Sequence, residues 1–332
     1  QEQSALDAAR ASYRNESRER ALDIATTVET NFNAIYSGLR TMARLPGVRN
    51  IDRYGRNFSA DAHTTVQEIY NNLASQVSMS EVYIVPRDLN PDRVDPATGS
   101  LEAPIVTFDE LIVGRSGGHR SHEDDELPEI EIFEYRLMRQ QAQRLSGSFN
   151  NESRVDGLAY PALTGPEVVT CDNTRFDPAH PDDKDRSGLV YSVPFYDGEG
   201  AFAGLVSGVM LTAALRELLP DGFYALHNSA NQYVAPASQP GPWREAAASI
   251  AADRPASDLI YSDVIKLKIA DGSGHWTLWA GQPDSLFWSR SDVRAAHTVA
   301  RTGYLVALLV TLLLLLWWRS QQAHRLHIER IN

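Results

Sequence analysis

The sequence of 332 residues carries a net charge of −12 and is 43% hydrophobic, which is enough for one or two packed cores. The acidic charge argues against a nucleic-acid partner, because nucleic-acid phosphates are bound by basic surfaces. A single cysteine, Cys171, excludes an internal disulfide framework and a zinc site built on several cysteines.

Residues 1–46 are predicted to form one long stalk helix, because no proline precedes Pro46 and Gly38 is the only glycine in this stretch. Apolar side chains recur within it in steps of three and four residues, the spacing of one helix face. They are Val28, Phe32, Ile35, Leu39 and Met42. We expect this face to pack on the protein's own domain, whereas residues 4–20 are candidates for a juxtamembrane stalk or a dimer contact. About 45 residues at ~1.5 Å each give a helix ~68 Å long.

After Pro46 the pattern alternates between helix and strand. Residues 61–78 show helical spacing, and the runs 81–85 and 104–108 predict short strands. The acidic, glycine-containing residues 116–131 predict a surface excursion, after which residues 132–145 return to helical spacing.

The clearest strand signal is a hairpin. Asp197-Gly198 lies between the apolar runs 188–197 and 201–211, and Asp-Gly in this position is the strongest short-range hairpin signal. Pro194 has no N–H to donate, so we expect the first strand to lie at a sheet edge or to be bulged there. A short helix capped by Thr212 is predicted to follow.

A second series of short strands is predicted at 223–226, 232–235, 259–270 and 275–280. Residues 271–274, Asp-Gly-Ser-Gly, predict a turn between the last two strands. The series indicates a smaller β-rich unit of about 70 residues.

Residues 302–318 contain eight leucines and no charged side chain, and they end in Trp317 and Trp318 directly before Arg319. Such a run predicts a transmembrane helix with its tryptophans at the membrane interface. The basic residues of the tail 319–332 favour a cytoplasmic tail and a periplasmic or extracellular bulk, anchored in the inner (plasma) membrane. We therefore expect a further membrane span before residue 1, and the tail is predicted to begin a cytoplasmic signalling helix.

This order of elements resembles the double-Cache extracytoplasmic sensor domain of bacterial transmembrane receptors. The resemblance covers residues 20–318 and includes the Val-Pro-Phe-Tyr-Asp-Gly-x-Gly hairpin at 193–200. It implies an α/β (α+β) fold with a long N-terminal helix, two tandem PAS-like modules with antiparallel sheets, and a C-terminal transmembrane helix. A membrane-distal module at 47–219 would hold the ligand pocket, and a membrane-proximal module would span 220–300.

The same resemblance implies a sensing region that passes small-molecule binding through the membrane helix to a cytoplasmic output. A sensor histidine kinase of a two-component system is the expected output, with a diguanylate cyclase or a chemoreceptor as alternatives, and such receptors act as homodimers. The catalytic motif His-Glu-x-x-His does not occur in the sequence. A membrane-anchored periplasmic enzyme or an assembly protein stays open as an alternative, and no cofactor is expected.

The candidate ligand contacts are aromatic and charged residues of the predicted distal module: Tyr83, Tyr135, Arg136, Tyr160, Tyr191, Tyr196 and Asp197. We expect the contacts to centre on Tyr191, Tyr196 and Asp197. Amino-acid-binding members of the family share an Arg-x-Trp-Tyr cluster and an acidic residue at the end of the last strand. This sequence has no Arg-x-Trp-Tyr, and the acidic position falls near Val209, so an amino-acid ligand is not indicated.

Two acidic segments are weak metal candidates. Asp183 and Asp185 imitate the opening of a calcium loop, but the twelfth position, where an EF-hand needs glutamate, is Pro194. His119 and His122 lie beside an acidic run, without a spacing that places them on one helix face. A solvated acidic loop is the more ordinary explanation of the segment around Asp183 and Asp185.

Overall fold

The computed structural model describes residues 2–74, 79–109, 131–157, 159–170 and 186–329. The helices are α1 Glu2–Arg44, α2 Pro46–Arg49, α3 Ala60–Ala74, α4 Ile132–Ser148, α5 Thr212–Glu217, α6 Ala247–Ala251, α7 Asp284–Ser289 and α8 Ser291–Glu329. The strands are β1 Met79–Pro86, β2 Ile105–Asp109, β3 Leu163–Val169, β4 Ser187–Tyr196, β5 Phe202–Leu211, β6 Tyr224–Asn228, β7 Tyr233–Pro236, β8 Tyr261–Leu267 and β9 Trp276–Gln282.

The strands form two sheets. The first has five strands in the order β2-β1-β5-β4-β3, and the second has four in the order β7-β6-β9-β8. Neighbours in the first sheet run antiparallel, and so do β6 with β7 and β6 with β9. The chain is a mixed α/β protein with a long N-terminal helix and antiparallel sheets, as the sequence predicts.

Helix α1 buries the apolar face that its spacing predicts. Five residues of this face are no more than 1% exposed: Val28, Phe32, Ile35, Leu39 and Met42. The Phe32 ring meets Tyr191 of β4 edge-on, with 6.5 Å between ring centroids, and meets Trp276 of β9 at 4.9 Å. One side chain of α1 therefore contacts both sheets.

The predicted hairpin is confirmed, with β4 and β5 paired from Gly188↔Leu211 to Tyr196↔Phe202. Of the two alternatives expected at Pro194, the edge position is wrong for the strand as a whole, because β4 lies between β5 and β3. The register of β4 with β5 does shift between Phe195 and Tyr196, directly after Pro194. The pairing of β3 with β4 nevertheless stops at Ser192. Pro194 therefore lies beyond the ladder with β3, where its missing N–H leaves no strand partner unpaired.

Two further local expectations need correction. Strand β3 was not predicted, because it contains Gly165-Pro166, a pair that normally favours a turn over a strand. Thr212 does not cap α5: the N-cap position is Leu211, and the Thr212 hydroxyl donates to Glu167 at 2.6 Å.

The chain divides into two compact units. One comprises Gln1–Glu19, Ser257–Tyr261 and Gln282–Asn332, and the other comprises Arg20–Ala256 and Ser262–Gly281. In the first unit, Tyr13 packs edge-on against Phe287 with 5.7 Å between ring centroids, and Arg290 pairs with Glu16 at 2.7 Å. The second unit contains the first sheet and nearly all of the second. The module boundaries proposed from the sequence, 47–219 and 220–300, stay predictions.

Helix α8 contains a stretch, Thr302–Ser320, that is long and apolar enough to cross a membrane. Its position agrees with the run 302–318 singled out in the sequence. None of this stretch is buried against the rest of the chain. The stretch therefore lacks the cover that a core helix of a water-soluble protein has.

Gly204 generates the first prediction, because β5 passes very close to β1 at this residue. Its φ is +155°, and a Cβ added there would lie 2.0 Å from the Val85 carbonyl oxygen. Gly204→Ala should therefore lower the free energy of unfolding by about 1–3 kcal/mol or more. Thermal unfolding of the detergent-solubilised chain measures the effect.

Gly147→Ala is the matched control, since Gly147 lies in α4 and an added Cβ would meet no atom within 4 Å. It should leave stability unchanged or raise it by up to ~1 kcal/mol, because alanine favours helix over glycine. A Gly204→Ala variant that melts with the wild type would contradict the close approach.

Candidate functional site

Two of the predicted ligand-contact residues, Tyr83 and Tyr135, meet beneath helix α4. Their rings pack edge-on with 6.0 Å between centroids. Both hydroxyls donate to the Glu131 carboxylate, Tyr83 at 2.5 Å and Tyr135 at 3.2 Å. Burial and the neighbouring carboxylates raise the pKa of both tyrosines far above the usual value, so each keeps its proton and can donate it at neutral pH.

Three carboxylates surround this tyrosine pair, and we call Glu81, Glu131 and Glu134 the carboxylate cluster. Oxygens from all three lie within 4.8 Å of one another, and all three residues are buried. Glu131 is the N-cap of α4 and Glu134 lies in its first turn, where the helix dipole favours negative charge. Buried carboxylates this close also require a proton or a cation between them. Oxygen donors in this arrangement suit a hard divalent cation.

Tyr191 and Tyr196 use their hydroxyls within the fold. Tyr191 donates to the Ala270 carbonyl and Tyr196 donates to the Phe149 carbonyl at 3.0 Å. Both are no more than 1% exposed, and burial raises the pKa of each hydroxyl above its usual value. In this structure the two residues pack in the core and fix backbone segments to each other.

The two charged candidates also have structural partners. Asp197 shapes the β4–β5 turn, where its carboxylate accepts the N–H groups of Glu199 and Ala201, each at 2.9 Å. The Arg136 guanidinium pairs with Asp92 at 2.7 Å on the surface, where both side chains are about half exposed. Neither residue joins the tyrosine pair or the carboxylate cluster through a described hydrogen bond.

Tyr160 lines a cavity of about 620 Å³, which we call the junction cleft. Its wall is formed by Asn33 and Tyr36 of α1, the end of α4 at 144–149, the loop 159–163 and the β8–β9 connection at 268–272. Tyr36 donates to the Tyr160 carbonyl at 3.0 Å. Burial raises the pKa of the Tyr160 hydroxyl to about 12, and this hydroxyl donates to the Pro194 carbonyl at 2.7 Å. The cleft is large enough for a small organic molecule.

A separate polar network crosses the second sheet around Asp253. The Asp253 carboxylate contacts His227 Nδ1 at 2.9 Å, His275 Nε2 at 2.8 Å and the Thr277 hydroxyl at 2.7 Å. The Ser229 hydroxyl lies 3.0 Å from the other ring nitrogen of His275. Serine, histidine and aspartate are therefore within hydrogen-bonding reach in series.

The backbone and charge of Asp253 fit a fixed role in this network. Its φ of +49° is unusual for a residue with a side chain. Burial would raise the pKa of Asp253, but hydrogen bonds from Thr277, His227 and His275 outweigh burial and hold the pKa below its usual value. Asp253 is thus a charged acceptor at neutral pH.

The weak metal candidates Asp183 and Asp185 lie outside the described residues, and so do His119 and His122. The cluster that the structure does bring together was missed from the sequence. Glu81 and Glu131 are far apart in the chain, and only the packing of α4 on the sheet makes them neighbours. Burial in β1 does not alternate between the two faces, because every residue of that strand is buried. The strand pattern therefore does not mark Glu81 as part of a polar site.

No family model matches the chain, and no curated protein sequence matches it. Among solved structures, a protein described as Methyl-accepting Chemotaxis protein X is 12% identical, with a TM-score of 0.45 over 82% of this chain and 98% of that one. The ligand-binding domain of the Pseudomonas aeruginosa amino acid chemoreceptor PctC, in complex with GABA, is 11% identical, with a TM-score of 0.43 over 81% of this chain and 99% of that one.

The extracellular domain of a protein named as histidine kinase vpHK1S-Z8 is 10% identical, with a TM-score of 0.43 over 85% of this chain and 96% of that one. The three are thus described as a chemotaxis protein, the ligand-binding domain of a chemoreceptor and the extracellular domain of a histidine kinase.

The tyrosine pair generates the second prediction. The Tyr83 hydroxyl contacts two carboxylates, Glu131 and Glu81, the latter at 2.9 Å, whereas the Tyr135 hydroxyl contacts only Glu131 in the described hydrogen bonds. Tyr83→Phe should therefore lower the free energy of unfolding by about 1–3 kcal/mol, because one buried carboxylate loses the hydroxyl that donates to it and the other loses a polar neighbour.

Tyr135→Phe is the matched variant and should have the smaller effect, about 1 kcal/mol, since the Glu131 carboxylate keeps its shorter bond from Tyr83. Thermal unfolding of both variants at neutral pH gives the comparison. A larger loss for Tyr135→Phe would show that the two hydroxyls are not arranged in this way.

Proposed function

We propose that this chain is the ligand-sensing region of a transmembrane signal-transduction receptor, with its sheets outside the membrane and Thr302–Ser320 across it. The observation that carries the proposal is the uncovered apolar stretch of α8, of which no part is buried. Leu308 is 66% exposed and Leu316 is 57% exposed. Apolar surface in water is unfavourable by roughly 25 cal/mol per Å², so a bilayer is the environment that suits this helix.

The length of the stretch and its flanks support a single crossing. Its 19 residues extend ~28 Å at ~1.5 Å per residue, close to the ~30 Å hydrocarbon core. Trp317 and Trp318 stand at one end, directly followed by Arg319. The positive-inside bias then favours a tail in the cytoplasm and sheets in the periplasm or outside the cell.

Two antiparallel sheets support a tandem arrangement of PAS-like modules, one at 47–219 and the other at 220–300. Their common contact is Phe32 of α1, which touches Tyr191 of the first sheet and Trp276 of the second. A ligand that favours one arrangement of a sheet would therefore act on α1 as well. A few kcal/mol of differential affinity is enough to shift a two-state receptor.

The output is proposed to be a sensor histidine kinase that acts as a homodimer. Helix α8 continues beyond the apolar stretch to Glu329, which would give the output a helical connection to the membrane. A diguanylate cyclase or a chemoreceptor signalling region would accept the same connection. The ligand would be a small molecule held within the second compact unit, where the tyrosine pair and the junction cleft are found.

A membrane-anchored periplasmic hydrolase is the second candidate, and the Ser229–His275–Asp253 series favours it. In serine hydrolases the histidine takes the serine proton while the aspartate orients the ring. Here the Ser229 oxygen also accepts the backbone N–H of His275 at 3.0 Å, which ties the hydroxyl into a turn. This second role makes a structural network the better explanation.

Membrane insertion gives the third prediction. The double variant Leu309→Arg with Leu313→Arg should no longer be retained in membranes after carbonate extraction, because each arginine at the centre of a span costs about 2.5–3.5 kcal/mol. The wild-type chain should be retained. Leu22→Arg in α1 is the control, since Leu22 is 44% exposed outside the stretch, and it should be retained like the wild type. Wild-type protein that extracts as freely as the double variant would refute the membrane anchor.

Ligand sensing gives the fourth prediction. Thermal unfolding of the full chain in detergent, screened against a metabolite library, should reveal a stabilising small molecule, since a ligand at 100 times its Kd contributes ~2.7 kcal/mol. The same library should show no turnover. Turnover that disappears in Ser229→Ala would establish the hydrolase in place of the sensor. If the library causes neither stabilisation nor turnover, the chain would be better explained as an assembly protein.

A further inference from the structure

The junction cleft carries cationic side chains in a chain whose net charge is −12. Arg144 and Lys268 both line it. The Arg144 guanidinium makes one described hydrogen bond, to the Gly272 carbonyl at 3.1 Å, and so retains further N–H donors. Among the residues that the structure describes, the Lys268 ammonium takes part in no ion pair or hydrogen bond.

Two more arginines lie on the rings of the tyrosines that line the cleft. The Arg40 guanidinium is 5.7 Å from the Tyr36 ring centroid, and the Arg44 guanidinium is 5.1 Å from the Tyr160 ring centroid. Four cationic side chains therefore line the cleft or contact its tyrosines.

The carboxylate that lines the cleft does not cancel this charge. Asp271 accepts backbone N–H groups from Thr164 at 3.2 Å and Ser273 at 2.8 Å through one oxygen. Its other oxygen accepts the Asn228 amide and the Trp276 indole N–H, each at 3.0 Å. Four donors thus occupy the carboxylate and disperse its charge over the turn.

Nearby carboxylates outside the lining are also engaged. Glu29 accepts the backbone N–H of Lys268 at 2.8 Å. Glu152 is paired with Arg49 through both oxygens, at 2.8 and 3.2 Å. Arg144 and Lys268 therefore remain the charged groups with free bonding capacity at the cleft wall.

The remaining wall combines neutral donors with apolar surface. Asn33 and Ser148 supply an amide and a hydroxyl, and the described hydrogen bonds include no bond from either side chain. Apolar contact comes from Leu145, Phe149, Pro161 and Ile269. The wall therefore offers polar and apolar surface in equal measure, which suits a ligand that has both a charged group and an apolar body.

We infer that the junction cleft binds a small organic anion, whose carboxylate lies between Arg144 and Lys268 and whose apolar body packs on Phe149, Pro161 and Ile269. Arginine suits this role because its planar guanidinium matches a carboxylate with two parallel hydrogen bonds. The inference rests on the proposed sensor function for its biological meaning, whereas binding itself depends only on the cleft.

The cleft lies where a bound ligand would contact several elements of the fold. Hydrogen bonds beside it join the first sheet to the β8–β9 connection, from Tyr191 to the Ala270 carbonyl and from Ser273 to the Thr164 carbonyl at 3.1 Å. The cleft also includes Tyr36 of α1. An anion there would contact α1, α4 and the β8–β9 connection at the same time.

The test uses the full chain in detergent micelles and ligand-observed NMR titration with sodium benzoate. Benzoate should bind, and its neutral isostere benzamide should bind at least ten-fold more weakly. Arg144→Gln and Lys268→Gln should each weaken benzoate binding about ten-fold, because each removes a charge-assisted hydrogen bond. Raising the salt concentration should weaken binding in the wild type.

Matched controls are Arg139→Gln, which removes the next arginine of α4, and Lys266→Gln, which removes an exposed lysine of β8. Neither residue lines the cleft, and both variants should bind benzoate as the wild type does. Equal binding of benzoate and benzamide, equal losses in the controls, or inorganic phosphate binding as tightly as benzoate would each overturn the inference.

The outcomes separate this inference from the sensor proposal. If benzoate binds as described while no library compound changes the activity of an attached kinase output, the site stands and the sensor function fails. If benzoate does not bind but another compound stabilises the chain and switches the output, the anion site fails and the sensor function stands.

Discussion

The buried face of α1 is the contact on which the rest of the fold depends. Sheets of five and four strands each need an apolar cover, and one continuous helix of 43 residues contributes to the cover of both. Phe32 of this helix contacts both sheets, because its ring packs against Tyr191 of the first sheet and Trp276 of the second. Close approach is also required elsewhere on this face: a Cβ at Gly208 of β5 would lie 3.3 Å from Leu39. The helix therefore cannot shift far without disturbing the sheet beneath it.

Polar groups in the interior are satisfied mainly by joining segments that are distant in the chain. Tyr191 and Tyr196 each donate to a backbone carbonyl of another element, and Asp271 collects four N–H donors from three segments. Such bonds add modestly to net stability but are costly to break, because a buried partner would lose its bond. They restrict how the sheets and turns can rearrange, and the carboxylate cluster beneath α4 imposes the same restriction through the tyrosine pair.

The sequence predicts those features that depend on short-range pattern. The α1 stripe follows from helical spacing, the β4–β5 hairpin follows from Asp197-Gly198 between apolar runs, and the apolar stretch of α8 follows from composition. Strand β3 was missed because Gly165-Pro166 imitates a turn. The candidate ligand contacts stay predictions, since an aromatic residue in a strand suits a core as well as a pocket wall. Tyr83 and Tyr135 meet in a polar cluster, Tyr160 lines the cleft, and Tyr191 and Tyr196 pack in the core, a distinction that needs tertiary packing.

The arrangement of α1 suggests how binding and packing are connected. Adjacent positions of the helix face different surroundings: Phe32 and Ile35 are buried, whereas Asn33 and Tyr36 line the junction cleft. A ligand that contacts Asn33 and Tyr36 therefore acts on the helix one residue away from the contact that joins both sheets. Because Phe32 packs in a dense interior, a small rotation of α1 would alter its contacts with Tyr191 and Trp276 together. Two discrete packings of this one side chain would be enough for a ligand to select between states, provided that its affinity for them differs.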